Sequence, residues 1–253
     1  MKFNIHAGHN PDGKIACGAV GLLQESTEAR KVKNEVIENL KGMKHTVYDC
    51  TVDDGKNQND VLQKIVKKCN KHTVDIDVSI HLDAGRKDKK GDGNTGGVTV
   101  YVYSETSKAF GPAVKVAKKI SKALGITNRG VKVNPGYYVL NNTNAPAMLI
   151  ECCFVDDKDD AEKWDSNKCG LAIAEGLLNT TIKKTSMYYK QYTGPSTQID
   201  VVLKVIGVNS KYYGSYSKRK AVAKANGISA YVGSVSQNTK LVNLAKQGML
   251  KKV

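Results

Sequence analysis

The chain has 253 residues, 40% of them hydrophobic and 25% charged, and its 39 lysines and arginines against 24 acidic residues give a net charge of +15. That length suits one large domain and a small one, and the composition is that of a globular chain rather than a disordered or fibrous one. No run approaches the roughly 18–20 continuous apolar residues of a membrane span, and Lys2-Phe3-Asn4-Ile5 lacks the basic and apolar regions of a leader peptide.

In chain order, β-branched and apolar runs predict strands at Phe3–Ala7, Thr46–Thr51, Ile76–Leu82, Val98–Tyr103, Tyr137–Leu140 and Ala147–Phe154. Helical periodicity fills the gaps at Gln24–Leu40, Asn59–Asn70, Ser107–Leu124 and Asp157–Leu178, with Gly125 in the position of a terminating glycine. Alternation of this kind predicts an α/β domain: a mostly parallel, twisted sheet with helices on both faces. Ligands of such sheets sit beyond the carboxyl ends of the strands.

A polar, aromatic stretch with the break Gly194-Pro195-Ser196 follows. Beyond it, Tyr212-Tyr213-Gly214-Ser215-Tyr216-Ser217 recurs as Tyr231-Val232-Gly233-Ser234-Val235-Ser236, which predicts a small domain with an internal repeat. Ser217 and Ser236 stand as expected N-caps, and Gly227 and Gly248 as expected closing glycines. Ala221, Val222 and Ala225 would form the apolar stripe of one helix, and Leu241, Val242 and Leu244 that of the other. From Ile199 to Val253, ten basic residues face one acid, Asp200, for a local charge of +9. A field of that sign attracts polyanions, among which nucleic acid, anionic membrane and an anionic cell wall all qualify.

Six cysteines (Cys17, Cys50, Cys69, Cys152, Cys153, Cys169) contain no C-x-x-C pair, and the neighbours Cys152 and Cys153 would point to opposite faces of a strand. Reduced, mostly buried thiols are the expectation, with Cys17 a possible neighbour of the site described next.

Four residues are the candidates for chemistry. His9 follows the first strand, Glu25 opens the first long helix, His81 closes Ile76–Ile80, and Glu151 closes Ala147–Ile150. In a parallel sheet they converge on one edge. Two imidazoles and a carboxylate make an open zinc site with water in the fourth position, and a second carboxylate outside the ligand set can take a proton from that water. A lone histidine or glutamate near a strand end is ordinary, so the weight lies in the combination. No Ser/His/Asp order or Gly-x-Ser-x-Gly elbow is present, which leaves serine hydrolysis without a foothold.

The stretches Ile5–Asn10, Gly21–Val32, Ser79–Ala84, Arg129–Lys132 with Tyr138–Leu140, and Ala145–Glu151 resemble, in order and spacing, the amidase-3 family of zinc N-acetylmuramoyl-L-alanine amidases, over nearly all of residues 1–180. The resemblance implies that His9, Glu25 and His81 bind Zn2+ and that Glu151 is the catalytic carboxylate. It implies a peptidoglycan hydrolase of endolysin type with a catalytic domain at 1–183, a linker at 184–198 and a cell-wall-binding domain at 199–253. The expected partners are peptidoglycan and an anionic wall polymer, with no nucleic acid and no membrane. The expected setting is a host cytoplasm, with release to the wall through a holin.

Two departures from the family pattern stand out: Asn10-Pro11 where many members have Gly-Gly, and His6 where they have an acid. Residues three apart on an extended strand face opposite sides, so His6 is not expected to share a metal with His9. His45 and His72, beside lysines, read as surface residues. A zinc carboxypeptidase is the first rival; it would want its first histidine and glutamate ligands close together, whereas sixteen residues separate His9 from Glu25. A basic nucleic-acid-binding protein is the second, and it would show salt-dependent DNA binding without zinc.

Overall fold

A computed structural model describes residues 1–182, 189–208, 215–247 and 249–252. The chain divides into two compact units, Met1–Ile182 and Lys183–Val253.

The first unit is an α/β fold on one six-stranded sheet: β1 (Lys2–Ala7), β2 (Thr46–Asp49), β3 (Ile76–Asp83), β4 (Val98–Val102), β5 (Asn128–Val133) and β6 (Ala147–Phe154), in the spatial order β2-β1-β3-β6-β4-β5. The β2-β1-β3-β6 half is parallel; β4 runs antiparallel to β6 and β5 parallel to β4. Helices α1 (Glu25–Gly42), α2 (Gln58–Cys69), α3 (Phe110–Leu124) and α4 (Tyr138–Asn142) lie between strands, and α5 (Lys158–Lys163) and α6 (Ser166–Leu178) follow β6.

Period-two alternation divides the sheet into two faces. Phe3, Ile5, Val78, Ile80, Val100, Met148 and Ile150 belong to the larger core, where α1 contributes Ala29, Val32, Val36 and Leu40 at helical spacing. On the opposite face Ala147 and Leu149 pack with Val61 and Ile65 of α2 and Val139 and Leu140 of α4. The rest of that face, in the centre of the sheet, is polar.

Three sequence expectations change. Tyr137–Leu140 is not a strand: Val139 and Leu140 are the buried side of α4, a pattern too short for periodicity to separate helix from strand. The run Asn128–Val133 is a strand that the sequence hides, because this edge element buries none of its residues fully. The helix expected over Asp157–Leu178 is two helices. It breaks after Lys163, and Asp165 caps the second by accepting from the N–H groups of Asn167 and Lys168. Gly125 does end α3, at φ 70°.

In the second unit the described elements are helical: α7 (Ile199–Val205), α8 (Tyr216–Ala225) and α9 (Val235–Lys246). They enclose a separate core of Val202, Leu203, Val222, Ala223, Leu241 and Val242, in which Tyr189 and Tyr192 are also buried. The N-caps are Ser215 and Ser234, not Ser217 and Ser236, and Ser234 forms a reciprocal capping box with Gln237. Of the expected stripe on α8, Val222 is buried but Ala221 is exposed, its place being taken by Ala223. Gly227 follows α8 at φ 77°. Tyr212, Tyr213, Gly214 and Gly248 lie outside the described residues. Among the described residues, no helix is long and apolar enough to cross a membrane.

Candidate metal centre

The polar sheet face follows from strand register. His6 pairs with Ser79 across β1 and β3, and two residues further on His81 pairs with Glu151 and Glu151 with Thr99, so two neighbouring rows of polar side chains lie towards the carboxyl end of the parallel strands. Gly8 extends β1 by one more bond, its N–H donating to the Ile80 carbonyl at 3.2 Å, and the chain then turns to present His9. Glu25 is the first residue of α1 and is 4% exposed.

There the side chains meet. Glu25 Oε1 lies 3.0 Å from His81 Nδ1 and 3.1 Å from His9 Nε2, and the two histidine nitrogens are 3.1 Å apart. The imidazoles stand edge to face at 86°. The other oxygen of Glu25 accepts from the Ala19 N–H at 2.8 Å, which fixes the carboxylate. His81 Nε2 is taken up by Ser79 Oγ at 3.0 Å; if the ring donates there, His81 Nδ1 is a lone pair. Two imidazole nitrogens and a carboxylate oxygen then face one point, an arrangement that repels itself unless a cation sits between them. Tetrahedral zinc with bonds of about 2.0–2.1 Å requires ligand atoms about 3.3 Å apart, and the observed separations are close to that. The donor set therefore fits zinc. Cys17 is not among the converging donors.

Glycine makes the packing possible. A Cβ on Gly8 would lie 1.8 Å from His81 Cε1, and one on Gly18, where φ is 82°, would lie 2.4 Å from Glu25 Oε2 and 2.9 Å from His9 Cδ2. The Asn10 departure also has a structural role. Its buried amide donates to the Ile15 and Gly55 carbonyls at 2.8 and 2.7 Å and accepts from Gly55 N–H, pinning the turn that carries His9. Arg30 of α1 reaches the same turn, donating to the carbonyls of His9 at 2.8 Å and Val52 at 3.2 Å while pairing with Asp53.

Glu151 lines the same cleft of about 320 Å³, with Asp83, Tyr137 and Tyr138 nearby. It is half-buried, and its buried Oε2 has no hydrogen-bond partner. Burial, then the negative charges of Glu25 and Asp83, push its carboxyl well above the ordinary range, against the opposing pull of Arg129. Glu25 goes the other way: burial disfavours its charge, but its contacts with the His81 and His9 rings outweigh that and lower its pKa. Two neighbouring carboxylates are thus driven apart, which is the electrostatic mark of an acid–base site.

His6 lies outside the converging set. Its Nδ1 is 3.4 Å from Ser79 Oγ, and burial, reinforced by His81, lowers its pKa to about 3. His45 and His72 are half-buried at the surface, in ring contact with Phe3 and Tyr48 respectively. A second acidic group, Asp88, Asp157 and Asp159, is used internally: Asp157 pairs with Arg86, and Asp88 and Asp159 accept from the N–H groups of Gly91, Asp92 and Gly93. Sequence reasoning missed Ser79 and Arg30; the alternation Ser79-Ile80-His81 was the available signal for the first.

A family model described as N-acetylmuramoyl-L-alanine amidase matches residues 4–183. An uncharacterised 38.4 kDa protein of Clostridium perfringens is 36% identical over 189 residues, covering 74% of this chain and 53% of that protein. The endolysin of Bacillus phage SPP1 is 31% identical over 197 residues, covering 72% and 67%. The chain spans about half the length of the clostridial relatives. Among solved structures, the catalytic domain of the CD27L endolysin targeting Clostridia difficile aligns with a TM-score of 0.64 at 25% identity, over 72% of this chain and 99% of that one. The catalytic domain of CwlV, an N-acetylmuramoyl-L-alanine amidase from Bacillus (Paenibacillus) polymyxa, aligns with a TM-score of 0.57 at 26% identity, over 71% and 97%.

Proposed function

Since the chain belongs to the N-acetylmuramoyl-L-alanine amidase family, we propose that it is a peptidoglycan hydrolase of endolysin type, cleaving the amide between N-acetylmuramic acid and the L-alanine of the stem peptide. The observation that carries the reading is the meeting of His9 Nε2, Glu25 Oε1 and His81 Nδ1 in a cleft that also holds the half-buried Glu151.

In this reading His9, Glu25 and His81 hold Zn2+. Bound there, zinc supplies Lewis acidity toward the scissile carbonyl and lowers the pKa of water. The protein's own part is placement and proton movement. Glu151 takes a proton from the attacking water and hands it to the leaving amine. The glycines at 8 and 18 and the fixed Glu25 carboxylate keep the donors in place without reorganisation during the reaction.

Residues 1–183 form the catalytic domain in this scheme, 184–198 connect it, and 199–253 are a small basic module with an internal repeat that holds the enzyme on an anionic wall polymer. The support is the +9 charge and the paired helices α8 and α9, each opened by a serine N-cap. The enzyme would be made in a host cytoplasm and act on the wall after release.

The test is clearing of purified Gram-positive walls. Chelator should stop it, zinc should restore it, and new N-terminal alanine should appear without new reducing sugar. Clearing that persists in chelator, or releases no N-terminal alanine, overturns the reading.

A further inference from the structure

A second pair of polar side chains lies on the sheet behind the metal centre. Ser79 lies two residues before His81 on β3 and opposite His6 on β1. Its hydroxyl is 3.0 Å from His81 Nε2 and 3.4 Å from His6 Nδ1. Ser79 and His6 are each 1% exposed, so neither bond competes with water. The other side of the His81 ring is closed by Gly8, whose missing Cβ would fall 1.9 Å from Nε2 and 1.8 Å from Cε1.

We propose that Ser79 and His6 are positioning residues that hold His81 in the tautomer and orientation needed to offer Nδ1 to zinc. His81 Nε2–H donates to Ser79 Oγ, and the Ser79 hydroxyl donates to the lone pair on His6 Nδ1. A serine hydroxyl can accept and donate at once, whereas alanine can do neither and would leave a buried N–H without a partner. The chain ends on a neutral imidazole rather than a carboxylate, so it orients His81 without adding a buried charge beneath the metal. That gives His6, a departure from the family pattern, a role in the site without making it a ligand. Partners that grip the far nitrogen of a ligating histidine are worth about 10–100-fold in metal affinity.

The inference rests on the reading of His81 as a zinc ligand, and the experiment separates the two. Zinc affinity of the full chain is measured by competition with a chromophoric chelator for wild type, Ser79→Ala, Ser79→Thr and His6→Ala, with circular dichroism to establish folding. Ser79→Ala should bind zinc about 10–100-fold more weakly, Ser79→Thr should recover most of the loss, and His6→Ala should fall between. A folded Ser79→Ala with wild-type zinc affinity overturns the role. Should that variant not fold, long-range 1H–15N correlation spectra of zinc-loaded wild type decide alone. Zinc on Nδ1 with a slowly exchanging proton on Nε2 of His81 is expected; zinc on Nε2 overturns the proposal. A wild-type chain that takes up no zinc overturns the metal reading instead.

Discussion

His81 Nδ1 and Glu25 Oε1 stand 3.0 Å apart across 56 residues of chain, one in a central strand and the other at the first turn of α1. The contact ties the sheet to the helix through atoms that both carry lone pairs in a metal-loaded centre.

Removing one of these atoms should remove the metal. In His81→Ala the zinc content should fall to near zero together with wall clearing. The far-UV spectrum should change little, because the larger core of the first unit does not include this side chain. One zinc per chain remaining in the purified variant, by elemental analysis, would sink the ligand assignment.

Glu151→Gln separates proton transfer from metal binding. The amide keeps the shape and an acceptor oxygen but cannot take a proton, so zinc should stay bound while turnover drops by about 10²–10⁴-fold. Near-normal turnover would remove Glu151 from the mechanism.

Gly8→Ala tests the packing around the ligand. The new methyl would collide with the His81 ring, so the variant should lose zinc affinity and melt at a lower temperature than wild type. Gly42→Ala, where a Cβ meets nothing within 4 Å, is the control. Equal zinc affinity in the two variants would show that the ring has room to move.

Asp77 predicts a pH signature of stability. Burial raises its pKa to about 6 despite hydrogen bonds with Asn4 and Cys69, and one of its oxygens has no partner. An unfolded chain loses this proton near pH 3.9. Between that value and about 6 the folded state holds the extra proton, so the contribution of Asp77 is fully present below the lower value and is lost as pH rises through the upper one. Asp77→Asn cannot ionise, and should gain on wild type by up to about 3 kcal/mol at neutral pH but not below pH 4. Denaturant titrations at several pH values would show this; a gap that does not widen from pH 4 to 6 would contradict it.

The second unit gives a prediction in salt. If wall attachment is only electrostatic, binding of the full chain should vanish as the Debye length shrinks from about 10 Å at 0.1 M to about 3 Å at 1 M, and walls of different species should behave alike. A built polymer site should leave residual, species-dependent binding at high salt. Sedimentation with walls, with duplex DNA as competitor, decides; DNA that displaces walls completely would count against a wall module.

Much of the centre was legible because its four residues lie in or directly beside strongly patterned elements. His81 and Glu151 lie within long apolar strands, where alternation and register dictate which face a side chain takes. What escaped were elements governed by other forces. The strand Asn128–Val133 is an edge with little burial, so its sequence carries only the short alternation Val131-Lys132-Val133. Tyr137–Leu140 reads as β-branched and aromatic, yet covering the sheet with Val139 and Leu140 favours a single helical turn. The break before Ser166 depends on one aspartate cap. The His6–Ser79 link was invisible because it joins two strands whose register only the folded sheet defines.

Arg30 has a consequence for how the site assembles. By gripping the His9 carbonyl from α1, it makes the turn bearing His9 and the helix bearing Glu25 a single rigid piece, with Asn10 bracing the loop between them. Three donors therefore belong to two bodies rather than three. Gly8 N–H on the Ile80 carbonyl and Leu82 N–H on Glu25 Oε1 then hold that piece against the strand bearing His81. A metal ion entering such a clamp has one gap to close and almost no chain to order. Capture and loss should accordingly be quick and reversible, and a chelated protein should take zinc back without refolding.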